Sequence, residues 1–592
     1  MARTPFRRLL PLLLLLALAA PVHAQTAAPK ISEFNRYSGY SEAVYDGWVR
    51  SSRYVAVRDG TRLAVDIYRP TRGGKVAEER LPVVWTHHRY QRASLDKDGK
   101  LEMNQSGWLL EVLKHGYVVA AVDVRGSGAS FGTFEGMFST RETHDAYDIT
   151  EWFAAQPWCN GKIGMYSRSY LAMTQYMAAS QKPPHLAAIF PEVGGTDWYD
   201  LLYHGGIYHR PFIEMWTGLV KELDVDHPAA PVDEDKDGSL LKAAVAEHRK
   251  NRSAADLYAA MPFRDSVDPK TGVKVWRDWT PITYLRQIQE SKVAVYNLDG
   301  WHDRYVRDQT ILFRNLDPKR RKLTLGPWTH TQDDHLDFAA EHLRWWDYWL
   351  KGIQNGVMDD APVHYYVIGA PEATAWRSAQ TWPLPQEKRT AYYFGPERSM
   401  GTAVPQGQGR DGFQVDYSAA VDPDPRWSLE QKFPEMSAND AKGLSYTTAP
   451  LAAPLEVTGH PVVHLRVASS APDADLFVYL EEVDAAGKSR YVSEGMLRAS
   501  NRATADPGYD TAGLPYHRGN RADRRPLKPG EPVDLVFDLY PTSTLFQAGH
   551  RIRVTITGAD ARNARTPKRN PPPRLTVYRG AKGSFVELPV IP

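Results

Sequence analysis

Six short apolar runs, Leu81 to Thr86, Val118 to Asp123, Lys162 to Tyr166, Leu186 to Pro191, Val293 to Leu298 and Lys322 to Gly326, recur in this chain without polar alternation. Runs of that length, rich in branched aliphatic residues, are strands buried on both faces, and such strands belong to parallel sheets covered by helices. The segments between them carry helical periodicity, so the pattern predicts a doubly wound α/β domain. Ahead of them, Tyr54 to Tyr68 alternates about Asp59-Gly60, which predicts an antiparallel hairpin at the start of the fold.

The pattern changes twice. From about Gly195 to Arg286 aromatic and helical segments replace strands, including Leu240 to Lys250, before the strand at Val293 returns. An insertion at that point predicts a helical cap over the ends of the sheet. From about Lys351 many short alternating runs follow, among them Val363 to Ile368, Val462 to Val467, Leu476 to Val483, Val533 to Leu539 and Arg551 to Ile556. Pro and Gly punctuate them, which favours a jelly roll or sandwich. The expected division is residues 1–24 as a signal peptide, 25–194 and 287–350 as the two parts of the core, 195–286 as the cap, and 351–592 as a jelly-roll-like domain.

Arg3, Arg7 and Arg8 precede an apolar run from Leu9 to Ala20, with small residues up to Ala24. That order predicts an export signal cleaved after Ala24 and a periplasmic or secreted product. No later segment approaches the roughly 18 apolar residues of a membrane span. The 72 basic residues balance 70 acidic ones, for a net charge of +2, so no strong field attracts nucleic acid. The single cysteine, Cys159, excludes an internal disulfide and sits in a turn that suits a structural role.

Chemistry concentrates in Gly161 to Gln175, where a strand turns sharply into a helix and carries Ser167 and Ser169. A nucleophilic serine at such a turn needs small neighbours. Ser169 has Ser167 two residues before it, whereas Ser167 has Met165, so sterics choose Ser169. The usual Gly-x-Ser-x-Gly is incomplete, since Ser167 and Leu171 occupy its glycine positions. Chain order adds the rest: in hydrolases of this architecture a serine is followed by an acid and then a histidine, each at the end of a strand. Asp303 follows the Val293 run and His330 follows the Lys322 run. A serine hydroxyl needs a base, and an imidazole needs a carboxylate to fix its tautomer. Asp299 is the rival acid, and His302 and His335 are the rival bases.

These segments, with Asp123-Val124-Arg125-Gly126-Ser127-Gly128-Ala129-Ser130, Glu151-Trp152-Phe153, Gln156-Pro157-Trp158, Gly300-Trp301-His302-Asp303 and Gly326-Pro327-Trp328-Thr329-His330, resemble the cocaine-esterase and X-Pro dipeptidyl-peptidase family of α/β-hydrolases. Trp349-Leu350-Lys351-Gly352, Tyr540-Pro541-Thr542-Ser543 and Ala548 to Arg553 are similar to its C-terminal domain. The family also contains α-amino-acid ester hydrolases and glutaryl acylases. The resemblance implies an α/β-hydrolase core with a helical cap and a jelly roll. It also implies an oxyanion hole made of the backbone N–H of Tyr170 and the hydroxyl of Tyr90. Ser167 and Ala172 replace family glycines, His302 replaces a tyrosine, and Arg304, Tyr305 and Val306 stand where amino-acid ester hydrolases carry carboxylates. A positive Arg304 there argues against recognition of an α-amino group.

The expected activity is hydrolysis of a small ester or amide without cofactor or metal; X-Pro dipeptidyl-peptidase activity is the alternative. A β-rich binding protein with an inactive core is the alternative of another class. Asp233, Asp235, Asp237 and Gly238 imitate a calcium loop, but its twelfth position is Ala244 rather than a glutamate, so a solvated loop opening a helix is preferred. His330, Asp333, Asp334 and His335 lack the spacing of a zinc protease. Oligomeric state, a homo-oligomer included, is left open.

Overall fold

The computed structural model describes residues 1, 29–103, 108–227, 229–331, 334–423, 426 and 434–592. The expected export signal therefore lies outside the described residues, Met1 aside.

Ten strands build the backbone of an 11-stranded sheet: β1 (Gly47–Ala56), β2 (Arg62–Arg72), β3 (Leu81–His88), β4 (Val118–Asp123), β5 (Cys159–Arg168), β6 (Leu186–Glu192), β7 (Ala294–Gly300), β8 (Arg321–Gly326), β9 (Val363–Tyr366) and β10 (Trp376–Ala379). Their spatial order is β10-β9-β8-β7-β6-β5-β3-β4-β2-β1. Strands β3 to β9 pair in parallel, while the β1–β2 hairpin and β10 pair antiparallel at the two edges. The six apolar runs are six of the parallel strands, and every residue of β4 and of β7 is buried. One face of the sheet packs on helices α1 (Thr140–Ala154) and α2 (Tyr170–Ser180) through Ile149, Phe153 and Tyr176. The other packs on the tryptophan-rich helix Phe338–Lys351 through Trp345, Trp346 and Leu350.

The order fixes where a site can form. The connection leaving β3 runs to β4 on one side, and that leaving β5 runs to β6 on the other. Between β3 and β5 the carboxyl ends therefore open a crevice, the usual place for ligands in open α/β sheets. Tyr90 lies just beyond β3, and Ser169 just beyond β5.

Helices between Trp198 and Ser291 form the cap, and their aromatic core includes Trp198, Tyr258 and Trp276 together with Tyr170 and Met173 of α2. The cap thus sits directly on the helix that follows Ser169. The C-terminal domain is an all-β jelly roll whose 13-stranded, almost wholly antiparallel assembly closes on the cluster of Val463, Leu480, Phe537 and Val554. Two strands depart from the expected division, since β9 and its antiparallel neighbour β10 belong to the core sheet. Val363 to Ile368 does not open the jelly roll: Val363–Tyr366 pairs in parallel with β8, and only Ile368 bridges onward to Thr544. Its alternation reflects a place near the sheet edge, with Val363, Tyr365 and Val367 buried against Trp301 and Trp382.

The loop after β4 shows why its glycines are there. The Asp123 carboxylate accepts the amides of Arg92 and Ala129, at 2.6 and 2.9 Å. Arg92, fully buried, also bonds Asp66 and Asp123. Gly128 (φ +57°) lies so close that a Cβ would stand 2.2 Å from the Asp123 carboxyl carbon, whereas a Cβ on Gly60 (φ +83°) would meet nothing within 4 Å. Gly60→Ala is expected to cost about 1 kcal/mol. Gly128→Ala is expected to cost about 3 kcal/mol or more, because strain and overlap add. Thermal unfolding midpoints of the two variants check this, and equal losses would count against a fixed Asp123.

Candidate active site

At the end of β5 the chain must turn into a helix within one residue. Ser167 takes φ +113° and Ser169 takes φ +61° with ψ −128°, conformations that cost of order 1–3 kcal/mol for a non-glycine residue. The turn is held by the Ser169 amide on the Glu192 carbonyl at 3.0 Å, and by the Ser169 carbonyl on the amides of Ala172 and Met173. Residue 194 must be glycine here, since a Cβ on Gly194 would stand 2.5 Å from the Cβ of Ala172. The room that Ala172 takes at the elbow is given back across the turn.

The strand ends bring the expected residues together. His330 Nε2 lies 3.0 Å from Ser169 Oγ, and His330 Nδ1 lies 2.5 Å from Asp303 Oδ2. Asp303 is buried and also accepts the Tyr305 amide at 2.7 Å. A buried carboxylate at Nδ1 puts the imidazole proton there, which leaves Nε2 as the acceptor for the serine hydroxyl. The rivals face elsewhere. Asp299 accepts the Gly300 amide, and burial beside the Asp303 charge pushes its carboxyl well above the usual range. The His302 ring packs on Tyr491, and His335 packs on Tyr366.

Two donors border the serine. Tyr90, raised above the usual tyrosine range by burial, has its hydroxyl in hydrogen-bonding contact with the Ser169 side chain. The Tyr170 amide belongs to the first turn of α2, where N–H groups have no intrahelical acceptor and the helix dipole favours negative charge. Over them opens a cavity of about 620 Å³ lined mainly by apolar side chains, among them Met137, Phe138, Met173, Trp198 and Trp216. Its outer edge belongs to helix α3 (Arg210–Lys221), where Met215 and Leu219 are 56% and 42% exposed. Arg168 also lines it, with its guanidinium 3.1 Å from Glu192. Among the described lining residues none is a carboxylate.

Sequence reasoning misplaced one residue and missed several. Arg304 is buried, bonds His209 at 2.9 Å and does not line the cavity, so its charge says nothing about an ammonium group. Arg426, from the jelly roll, donates to the carbonyl of Trp301 at 2.7 Å and to that of Asp303 at 3.3 Å, bracing the acid loop. Glu142, in the first turn of α1, accepts the Tyr170 hydroxyl at 2.8 Å. None of these pairings has a local signal in the sequence. Asp235 accepts the amides of Leu240 and Leu241, Asp237 that of Ser239, and Asp233 that of Ser52, so the calcium-like loop spends these carboxylates on backbone and opens helix α4 (Ser239–His248). In the other acidic cluster His330 is bound to Asp303, and Asp333 lies outside the described residues. Cys159 is buried at the start of β5.

Comparison with known proteins agrees with this architecture. Residues 59–332 match the X-Pro dipeptidyl-peptidase (S15 family), and residues 355–582 match the X-Pro dipeptidyl-peptidase C-terminal non-catalytic domain. A Mycobacterium bovis protein provisionally named a serine esterase is 36% identical over 613 residues, covering 92% of this chain and 96% of the relative. The cocaine esterase of a Rhodococcus species is 26% identical over 553 residues, covering 86% and 91%. A crystal structure of a CocE/NonD family hydrolase from Staphylococcus aureus shares the fold with a TM-score of 0.71 at 21% identity, covering 92% of this chain and 94% of that one.

Burial pushes the Glu142 carboxyl up from 4.5 to about 8. Between those values the unfolded chain releases the proton while the folded one keeps it, so stability falls as pH rises through that window. Glu142→Gln, a neutral mimic of the protonated acid, is expected to flatten this fall. Thermal midpoints of both proteins at about pH 5 and about pH 8 check it, and parallel slopes would mean that Glu142 is ionised throughout.

Proposed function

Because the chain belongs to the X-Pro dipeptidyl-peptidase (S15) family of serine hydrolases, we propose that it cleaves carboxylic ester or amide bonds of small acylated substrates through an acyl-enzyme intermediate. The observation that carries this reading is the bridge of His330 between Asp303 and Ser169, at 2.5 and 3.0 Å. Ser169 Oγ attacks the carbonyl carbon as His330 Nε2 takes its proton. Asp303 stabilises the imidazolium and holds its orientation. The oxyanion receives hydrogen bonds from Tyr90 Oη and the Tyr170 amide. His330 then gives its proton to the departing alcohol or amine, leaving Ser169 acylated. A water molecule attacks the acyl carbon with His330 again as base, and His330 then passes that proton to Ser169 Oγ as the carboxylic acid leaves, restoring the hydroxyl.

The cavity favours neutral apolar acyl or alcohol groups over peptides with a free N-terminus. An ammonium group needs a carboxylate partner, and the described lining residues supply none. Esters and amides without a free ammonium group are therefore the preferred substrates. The proposal includes export to the periplasm or beyond, supported by the basic, apolar and small-residue succession of residues 1–24.

A fluorophosphonate probe is expected to label the wild type and not Ser169→Ala. Labelling that persists in the variant would sink the nucleophile assignment. Tyr90→Phe is expected to lower kcat on 4-nitrophenyl butyrate by roughly a hundredfold. An unchanged kcat would remove Tyr90 from the oxyanion hole.

A further inference from the structure

Trp216, near the middle of α3 in the cap, donates its indole Nε1 proton to Tyr90 Oη at 2.9 Å. A phenol has one proton to give and two lone pairs to receive with. With a lone pair committed to Trp216, the hydroxyl proton must turn away from the indole, and the Ser169 side chain is another hydrogen-bonding neighbour of that hydroxyl. Trp216 is itself fixed. It is 5% exposed, its ring lies parallel to that of Tyr170 at 6.0 Å, and the Arg89 guanidinium sits 5.6 Å from its centre.

The same stretch of cap holds the residues on either side of Tyr90. After α3 the chain makes a π turn (Glu222–Asp226), an uncommon geometry that recurs at functional sites. It turns Asp224 onto Arg89, whose Nη1 and Nη2 donate to Asp224 Oδ1 and Oδ2 at 2.6 and 2.8 Å, with both side chains buried. Gln91 donates its side-chain amide to the carbonyls of Leu223 and His227, the former at 2.7 Å. Three consecutive residues, Arg89, Tyr90 and Gln91, are thus each bonded to the cap.

We propose that Trp216 is a positioning residue for the reaction: the cap, through its indole N–H, orients the Tyr90 hydroxyl that stabilises the oxyanion. The proposal rests on the serine-hydrolase reading of the site given above. Donation from the indole also offsets part of the burial that disfavours negative charge on Tyr90, so the hydroxyl becomes a better donor. Because the bond acts on the developing charge and not on the bound ester, its loss belongs in kcat rather than KM.

The test replaces Trp216 with 3-benzothienylalanine, which keeps the bicyclic shape and exchanges N–H for sulfur, in wild-type and Tyr90→Phe backgrounds. Trp216→Phe serves as an encoded second variant. With 4-nitrophenyl butyrate, the benzothienyl protein is expected to lose roughly tenfold in kcat with KM within about twofold of wild type. In the Tyr90→Phe background the same replacement is expected to cost less than about twofold, since there is no hydroxyl left to orient. Equal losses in the two backgrounds, or a change confined to KM, would overturn the proposal and leave Trp216 as cavity wall. Fluorophosphonate labelling of Ser169 is read in parallel. Labelling lost in Ser169→Ala while the cycle proves additive rejects the role of Trp216 alone, and labelling retained in Ser169→Ala rejects the underlying reading.

Discussion

The backbone of Ser169 is the constraint from which the site follows. A residue at φ +61° between a buried parallel strand and a helix has its side chain thrust out of the sheet, with the helix amides beginning immediately behind it. That conformation persists only where the surroundings over-determine it. Here they do so through the Ser169 amide on Glu192, the small Ala172 and the absence of a side chain at Gly194. The strand order then decides what can face the serine. The crevice between β3 and β5 brings the loop carrying Tyr90 to one side, while β7 and β8, farther along the sheet, end in the loops carrying Asp303 and His330.

Each of the three structural units holds a different part of this arrangement. The core provides the serine, the acid and the base. The jelly roll reaches back with the buried Arg426, whose guanidinium holds the Trp301 and Asp303 carbonyls while lying 4.3 Å from the Tyr540 ring centre. A second link is buried nearby, where Arg307 of the core grips Asp538 of the jelly roll at 2.6 Å. The cap grips the loop of Tyr90 through Trp216 and Asp224. Burying such ions carries a desolvation cost that their mutual attraction only partly offsets, so they are weak evidence of stability. Their geometric consequence is clearer: paired donors in a fixed fork permit one orientation of the loop they hold.

Legibility in the sequence followed the range of the interaction. The parallel strands could be read because burial on both faces leaves a run without alternation, a purely local signal. Ser169 could be chosen over Ser167 because the steric demand of the elbow acts two residues away. Asp303 and His330 came from order along the chain, which the sheet converts into proximity. Tyr90 came only from resemblance, since a tyrosine beyond a strand says nothing by itself. Trp216 and Arg426 were out of reach: their partners are 126 and 123 residues distant, and neither lies in a pattern that declares a direction. Arg304 shows the opposite error. Its charge was legible, but the direction of its side chain was not, and it turns to His209 instead of the cavity.

The composition of the cavity wall bears on the strength of the chemistry as well as on the choice of substrate. Hydrogen bonds to a developing oxyanion gain strength as the local dielectric falls. Phe138, Met173, Trp198 and Trp216 provide that medium, and the arginine in the wall, Arg168, is tied to Glu192. The apolar wall continues outward to Met215 and Leu219, which remain exposed on the cap helix. An apolar acyl or alcohol group that fills the cavity covers these side chains, gaining roughly 25 cal/mol for each Å² removed from water. In the proposed reaction, substrate binding and exclusion of water use one surface, and that surface stands on the helix whose indole donates to Tyr90.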